Sequence, residues 1–236
     1  IIGEGKDTIL DSARDIILES SNLRAKDDIV LNAKNYLMML STIDTEHKFK
    51  TQSSTSGGGL FRKKKRKTEV WTEDNIYANP VELTNDGNVL INYRGIGKPA
   101  ENKGVFAQGV NFKTKGQIVG LSDGNIYIQG TKDRLESTYD SKTVKSFWGF
   151  KYKRIHDYVN EDKEKYKHSQ LYGEAGVKID SEGKLKIEGA DIQTVGSVFL
   201  RGKLGLEVMP GTEVSSKYEK HTNRGLRLAN IMVGLK

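Results

Sequence analysis

The chain of 236 residues has no cysteine. That excludes a disulfide framework, a thiolate zinc site and a cysteine nucleophile. The composition suits a cytosolic protein. It suits equally a secreted protein that crosses a membrane unfolded, where a premature disulfide would block passage. Proline is scarce, at three residues. No apolar run approaches the ~18 residues that a membrane helix needs, and the most evident one is only Tyr36–Leu40. The chain opens without Met or a signal-peptide pattern, and it is expected to be a segment of a longer one. G-x-S-x-G, Walker A and H-E-x-x-H patterns are missing, and Gly3-Glu4-Gly5 is too short to carry meaning. His47, His156, His168 and His221 show no metal-ligand spacing, so no metal or cofactor is expected.

What is present is a rhythm. Apolar residues make up 36% of the chain, enough for a thin core. Glycine, at 25 residues, exceeds the usual ~7%. From Asp15 to Phe49, strand-length apolar beats (Ile16–Leu18, Leu23, Ile29–Leu31, Tyr36–Leu40) alternate with Asn, Asp, Ser or Lys, the pattern of short strands with turns between them. A second unit starts near Gly87 and includes Val89–Ile91, Val105-Phe106, Val110, Phe112, Ile118-Val119 and Asn125–Ile128. A third runs through Gly176–Ile179, Lys184–Gly189, Val198–Leu200 and Leu204–Val208. Asn35, Asn88 and Asn125 precede beats as turn residues. The units close on similar endings, STIDTEHKF, TKDRLESTY and GTEVSSKY, whose last residues are Phe49, Tyr139 and Tyr218.

Within units, beats recur after 21 residues (Ile16 to Leu37), 20 (Phe106 to Ile126) and 19 (Leu185 to Leu204). Internal repeats of this size point to a solenoid or a propeller. Propeller blades need four antiparallel strands in a ring of equal units; here the beats are short and the units unequal. The expected fold is all-β: a right-handed parallel β-helix of roughly 20 residues per coil, with inward Ile, Val and Leu ladders. It is expected to fill residues 1–236 as one β-helix fragment. Long hairpin-like excursions leave it at 50–75 and 140–171, and a third begins near 219. Residues 160–171 carry a candidate helical face, with Glu161 and Lys165 spaced i, i+4.

Charge is concentrated. The net +7 falls to +1 without the six cations Arg62, Lys63, Lys64, Lys65, Arg66 and Lys67. Such a run is extended and solvated unless a polyanion neutralises it. It reads as a contact for sulfated glycan, lipopolysaccharide phosphate, anionic lipid or nucleic acid, or as a solubilising loop. Phe61 and Trp71 flank it. The second excursion joins Phe147, Trp148, Phe150 and Tyr152 to Lys145, Lys151, Lys153 and Arg154. That stretch either stacks on sugars or bases or, the favoured reading, packs back onto the coils, because exposed aromatic clusters are costly. Candidate contact residues are therefore Arg62 to Lys67, Trp71, Trp148, Lys151, Lys153 and Arg154. Some β-helices process polysaccharides with a Lys or Arg base and calcium on acidic residues; no compact acidic cluster stands out here.

Asn22-Leu23-Arg24-Ala25 followed by Asp27-Asp28-Ile29-Val30-Leu31-Asn32-Ala33 resembles the S-x-L-x-A-G-x-D-I-x-L-x-A rhythm of filamentous haemagglutinin repeats. GADIQTVGSVFLRGKLGLEV in the third unit repeats it, and SSTSGGGLFRKKKRKTE is similar to the inserts that interrupt such repeats. Lys26 and Lys34 stand where that family usually has glycine, and the excursions are more aromatic and basic. The family comprises exoproteins of two-partner secretion, both adhesins and contact-dependent inhibition effectors. The resemblance implies a non-enzymatic stalk, exported through a partner outer-membrane transporter and held at the bacterial cell surface. Its loops would meet a receptor, glycan or lipopolysaccharide on a target cell, in some members for toxin delivery. No specific nucleic-acid partner is expected.

Overall fold

The computed structural model describes residues 6–59, 62–93, 102–148 and 150–225. Phe61 and Gly3–Gly5 lie outside them. The described residues form strands and turns, with no helix. They divide into two compact units.

The first unit takes Ile1–Asp44, Tyr77–Asp133 and Lys165–Glu213. In chain order the strands are β1 (Thr8–Ser12), β2 (Ile16–Glu19), β3 (Asn22–Arg24), β4 (Ile29–Ala33), β5 (Tyr36–Leu40), then the long β6 (Thr42–Ser56) and β7 (Lys64–Asn79). There follow β8 (Val81–Asn85), β9 (Val89–Ile91), β10 (Gly104–Gln108), β11 (Val110–Thr114), β12 (Gln117–Ser122) and β13 (Asn125–Gln129), then the long β14 (Thr131–Phe147) and β15 (Phe150–Lys167). The last are β16 (Ser169–Gly173), β17 (Gly176–Ser181), β18 (Lys184–Glu188), β19 (Ala190–Gln193), β20 (Ser197–Gly202), β21 (Gly205–Met209) and β22 (Ser215–Gly225).

The short strands make three parallel sheets: β1-β4-β9-β12-β17-β20, β2-β5-β10-β13-β18-β21, and β19-β16-β11-β8-β3. Successive strands visit the three sheets in the same cyclic order, so each pass adds one strand to each. Inward residues therefore stack in ladders: Ile29–Val89–Ile118–Val177, Leu37–Val105–Ile126–Leu185, and Leu23–Leu83–Phe112–Leu171. All of these are buried, and each contributes about 1.5–3 kcal/mol by leaving water.

The repeat is sharper than the sequence spacing. Uninterrupted passes are 21 residues apart: Ile16 pairs with Leu37, Phe106 with Tyr127, and Leu185 with Leu206. The spacings of 20 and 19 joined residues that are not partners. Where an excursion intervenes the offset becomes 60 or 59, it is 29 across residues 94–101, and it is 68 where both intervene, between Leu37 and Val105.

The corners explain the polar beats. Asn88 Oδ1 accepts the Gln117 N–H at 2.9 Å and Asn125 Oδ1 accepts that of Lys184 at 2.8 Å, each reaching the next pass. Asn102 is buried; its Nδ2 donates to the carbonyls of Ala33 and Asn35, and its Oδ1 accepts from Ser122 Oγ. The pass that includes residues 94–101 is lengthened between the first and second sheets, but all three departures into the antiparallel strands leave from one corner, between the second and third sheets. Where the chain turns directly there, it uses a left-handed residue: Ser20 (φ 39°), Gly109 (φ 59°) or Gly189 (φ 56°). Ser41, Gly130 and Pro210 hold the same register and lead into the excursions instead, and none of them has positive φ. The ring of Tyr166 lies along this corner, against Gly130, Gly189 and Gly211, and its hydroxyl donates to the Glu188 carbonyl at 3.2 Å.

The second unit takes Thr45–Ile76, Arg134–Glu164 and Val214–Lys236. It is one five-stranded sheet, β22-β15-β14-β7-β6, with β7 and β14, and β15 and β22, antiparallel. Its lengths of chain begin at Thr45, Arg134 and Val214, a few residues before the expected excursions and before Phe49, Tyr139 and Tyr218. The helical expectation for 160–171 is corrected, because these residues lie in β15 and β16 apart from the single residue between the two strands. Cross-strand pairing overrides the i, i+4 pattern, and Glu161 instead meets Lys163, its i+2 neighbour on the same strand face, at 2.8 Å.

Candidate functional site: a basic sheet with an aromatic hairpin tip

The six-cation run does not form a free loop. Arg62 and Lys63 sit in the turn, where the Arg62 N–H reaches the Gly59 carbonyl at 3.3 Å, and Lys64 to Lys67 begin β7. Opposite them on β14 stand Ser146, Lys145, Val144 and Thr143. Lys65 therefore directly faces Lys145. Like charges opposite each other destabilise an antiparallel pair, so this position is built against the sheet's own stability.

Alternation along the strands sorts the cations. Asp140 bonds to His156 at 2.9 Å and Arg134 to Asp162 at 2.6 Å, which puts these four on one face of β14 and β15. Lys145, Lys151 and Lys153 then share the opposite face, with Lys65 and Lys67. Lys64, Arg66 and Arg154 lie on the Asp140 face. The run that is continuous in sequence is thus divided between two faces, and lysines about 80 residues apart are brought together. Only the register reveals Lys145 as the partner of Lys65; nothing local in the sequence marks it.

One carboxylate meets the last cation of the run. Glu69 bonds to Lys67 and accepts from the Tyr139 hydroxyl at 2.6 Å, and these contacts hold its carboxyl below the usual range. The same bond to Glu69 raises Lys67. Lys65 and Lys145, nearer the end of the strand pair, have no ion pair among those resolved between described residues. Trp71 faces Tyr139, ring centres 5.5 Å apart, under the Lys50 ammonium. It packs within the sheet and is only half-exposed.

The connection between β14 and β15 is the other feature. Phe147 is 44% exposed, Trp148 61% and Phe150 76%. The reading that this stretch packs back onto the coils is corrected for these three; Tyr152 alone is half-buried. Phe147 and Trp148 stack with centres 6.3 Å apart, and Trp148 holds φ 54°. A bulky residue in that region is uncommon and marks a conformation imposed by its surroundings. Lys151 and Arg154 follow in exposed positions and Lys153 is half-exposed.

Each histidine meets an aspartate on a neighbouring strand: His47 with Asp74, His156 with Asp140 and His221 with Asp157 in the second unit, and His168 with Asp191 in the first. Among the described residues no group of three or more His, Asp or Glu side chains is gathered to hold a metal ion. Acid–base contacts on the coils include ion pairs between passes, as where Arg201 reaches Asp180 at 2.6 Å and Glu182 at 2.9 Å.

No family model, curated protein or solved structure matches the chain.

Proposed function

We propose that this chain is a non-enzymatic segment of a secreted, filamentous surface protein of bacteria. The class is the filamentous-haemagglutinin-type exoprotein of two-partner secretion, acting as an adhesin or a contact-dependent inhibition effector. On this reading the three-sheet unit is a right-handed parallel β-helix that sets spacing and stiffness. The antiparallel unit supplies the contacts to a target cell's receptor, glycan or lipopolysaccharide. A partner outer-membrane transporter exports the whole, and toxin delivery is the role in those members that carry a toxin. The observation that carries the reading is the shared corner. Parallel passes continue in 21-residue register, and all three excursions into the antiparallel strands leave from one corner, so those excursions vary while the stack persists. Lack of cysteine agrees with export in an unfolded state.

The test is binding of the purified, labelled chain to bacterial and host cells. Saturable binding that falls at least tenfold when Lys64, Lys65 and Arg66 become Ser supports the reading. Absence of binding to every cell type, or turnover of an acidic polysaccharide by the chain, overturns it.

A second reading, a polyanion-binding module in its own right, is favoured by the Lys65–Lys145 juxtaposition. Heparin retention with a steep salt dependence, lost in Lys65→Ser, supports it. Retention unchanged in that variant removes it.

A further inference from the structure

We propose that the β14–β15 connection is a membrane-interface anchor, and that the second unit docks on an anionic phospholipid bilayer. Phe147, Trp148 and Phe150 would enter the headgroup region, and Lys145, Lys151 and Lys153 would hold the phosphates. The proposal deepens the reading of the antiparallel unit as the contact surface.

Three observations meet at this place. First, three large aromatic side chains, 44–76% exposed, are gathered within four positions of one turn. Apolar groups of that size are kept in water at a cost unless another surface covers them. Second, the apolar tip is bordered by cations. Lys145 precedes it, and Lys151, Lys153 and Arg154 follow it; the cross-strand register adds Lys65 beside Lys145 and Lys64 beside Ser146. The nearest acidic residue on β14 is Asp140, which His156 and Lys142 already engage. On β15 it is Asp157, which meets His221. Third, Trp148 is held in a left-handed conformation and stacked on Phe147, so the apolar tip has a defined shape in which two rings act together.

The chemistry selects the surface. A sulfated glycan would use the cations, but it offers little for three exposed rings. A single-stranded nucleic acid would need rings spaced to stack successive bases; here two rings stack on each other. A bilayer interface accepts both features: tryptophan and phenylalanine favour its boundary, and each lysine near an anionic surface contributes about a fivefold gain in binding.

The experiment uses the full chain and vesicles of phosphatidylcholine containing 30% phosphatidylglycerol, followed by sedimentation. The expected result is binding that weakens at least tenfold on pure phosphatidylcholine, or when Trp148 and Phe150 are both replaced by Ser. Changing Lys145, Lys151 and Lys153 to Gln should weaken it by about fivefold per residue and flatten its salt dependence. In a Trp71→Phe background Trp148 is the sole tryptophan, and its emission should shift to the blue and be quenched by brominated lipid. Trp148→Phe should keep most of the binding, which separates an anchor from a collapsed hairpin.

Absence of vesicle binding, unaltered binding in the Trp148→Ser/Phe150→Ser variant, or binding only to lipopolysaccharide vesicles or heparin overturns the anchor. Cell binding that persists in that variant overturns the anchor and leaves the stalk-and-contact reading standing.

Discussion

One substitution, Gly→Ala, should have opposite effects at two positions of the three-sheet unit. Gly120 occupies an inward ladder position between Ile91 and Ile179. A Cβ added there would meet no atom within 4 Å, because the site borders an apolar void of about 20 Å³ lined by residues such as Met39, Phe112 and Leu171. Burying one methyl group contributes about 0.8 kcal/mol. Restricting the unfolded chain adds about 0.4–1 kcal/mol. Gly120→Ala is therefore expected to stabilise the protein by about 1–2 kcal/mol, a rise in Tm of about 2–8 °C at this size.

Gly189 is the reverse case. Its φ of 56° disfavours any side chain, at about 1–2 kcal/mol. A Cβ there would also collide with the Tyr166 ring. Displacing the ring costs about 1–3 kcal/mol, typical of overpacking, and endangers the hydroxyl's bond to Glu188. Gly189→Ala should lower stability by about 2–5 kcal/mol. In a Tyr166→Ala background only the backbone part remains, so the double-mutant cycle should return a coupling of about 1–3 kcal/mol. Thermal unfolding followed by circular dichroism measures the four proteins of the cycle and Gly120→Ala. A fall in Tm for Gly120→Ala, or a cost at Gly189 that is the same with and without Tyr166, would refute the reasoning.

Other consequences are equally measurable. Asn102→Ala leaves two carbonyls and the Ser122 hydroxyl without their buried partner. It should cost about 2–4 kcal/mol, read as faster amide exchange in the passes that meet there. Lys65→Glu turns a like-charge pair with Lys145 into an ion pair; Tm should rise slightly while binding to anionic vesicles or heparin falls, and a loss of both would contradict a functional origin for the repulsion. Glu69, Glu73, Glu161 and Asp162 are all held below their ordinary values by bonds to neighbouring side chains, chiefly Lys67, Asn75, Lys163 and Arg134 respectively. Their contribution is complete above the unfolded-state value, near 4.5 for the glutamates, and is lost as pH falls through the depressed folded values. Denaturation midpoints should therefore drop as pH falls below about 4.5, and Arg134→Gln should remove part of that drop. Burial pushes the Tyr166 hydroxyl above 10, so its contribution is present below pH 10 and lost as pH rises through the raised value; Tyr166→Phe should abolish that alkaline loss.

The sequence by itself determined the strands of the first unit and their stacking class. Ile16–Leu18, Ile29–Leu31 and Lys184–Gly189 were legible because alternation and turn residues are local properties: a strand that hides one face writes that fact into every second residue. The recurrence of similar endings also revealed that the chain departs from the repeat, although not where. Tertiary structure alone decided the rest. The 21-residue register, against apparent spacings of 19 and 20, follows from hydrogen bonds between passes, and a one-residue slip would turn every inward side chain out. Whether a corner turns directly or releases an excursion is not written in residue type, since serine and glycine serve both uses; the sign of φ separates them. At 160–171 a helical charge pattern yielded to strand pairing. Lys65 and Lys145 meet only because two distant hairpins share a sheet. Among the described residues, pairing with β7 ends at Ser146 on β14 and pairing with β22 ends at Lys153 on β15, short of the exposed aromatic tip. Residue pattern encodes what each segment wants to bury; which distant segment it meets is set by backbone register, which no local pattern carries.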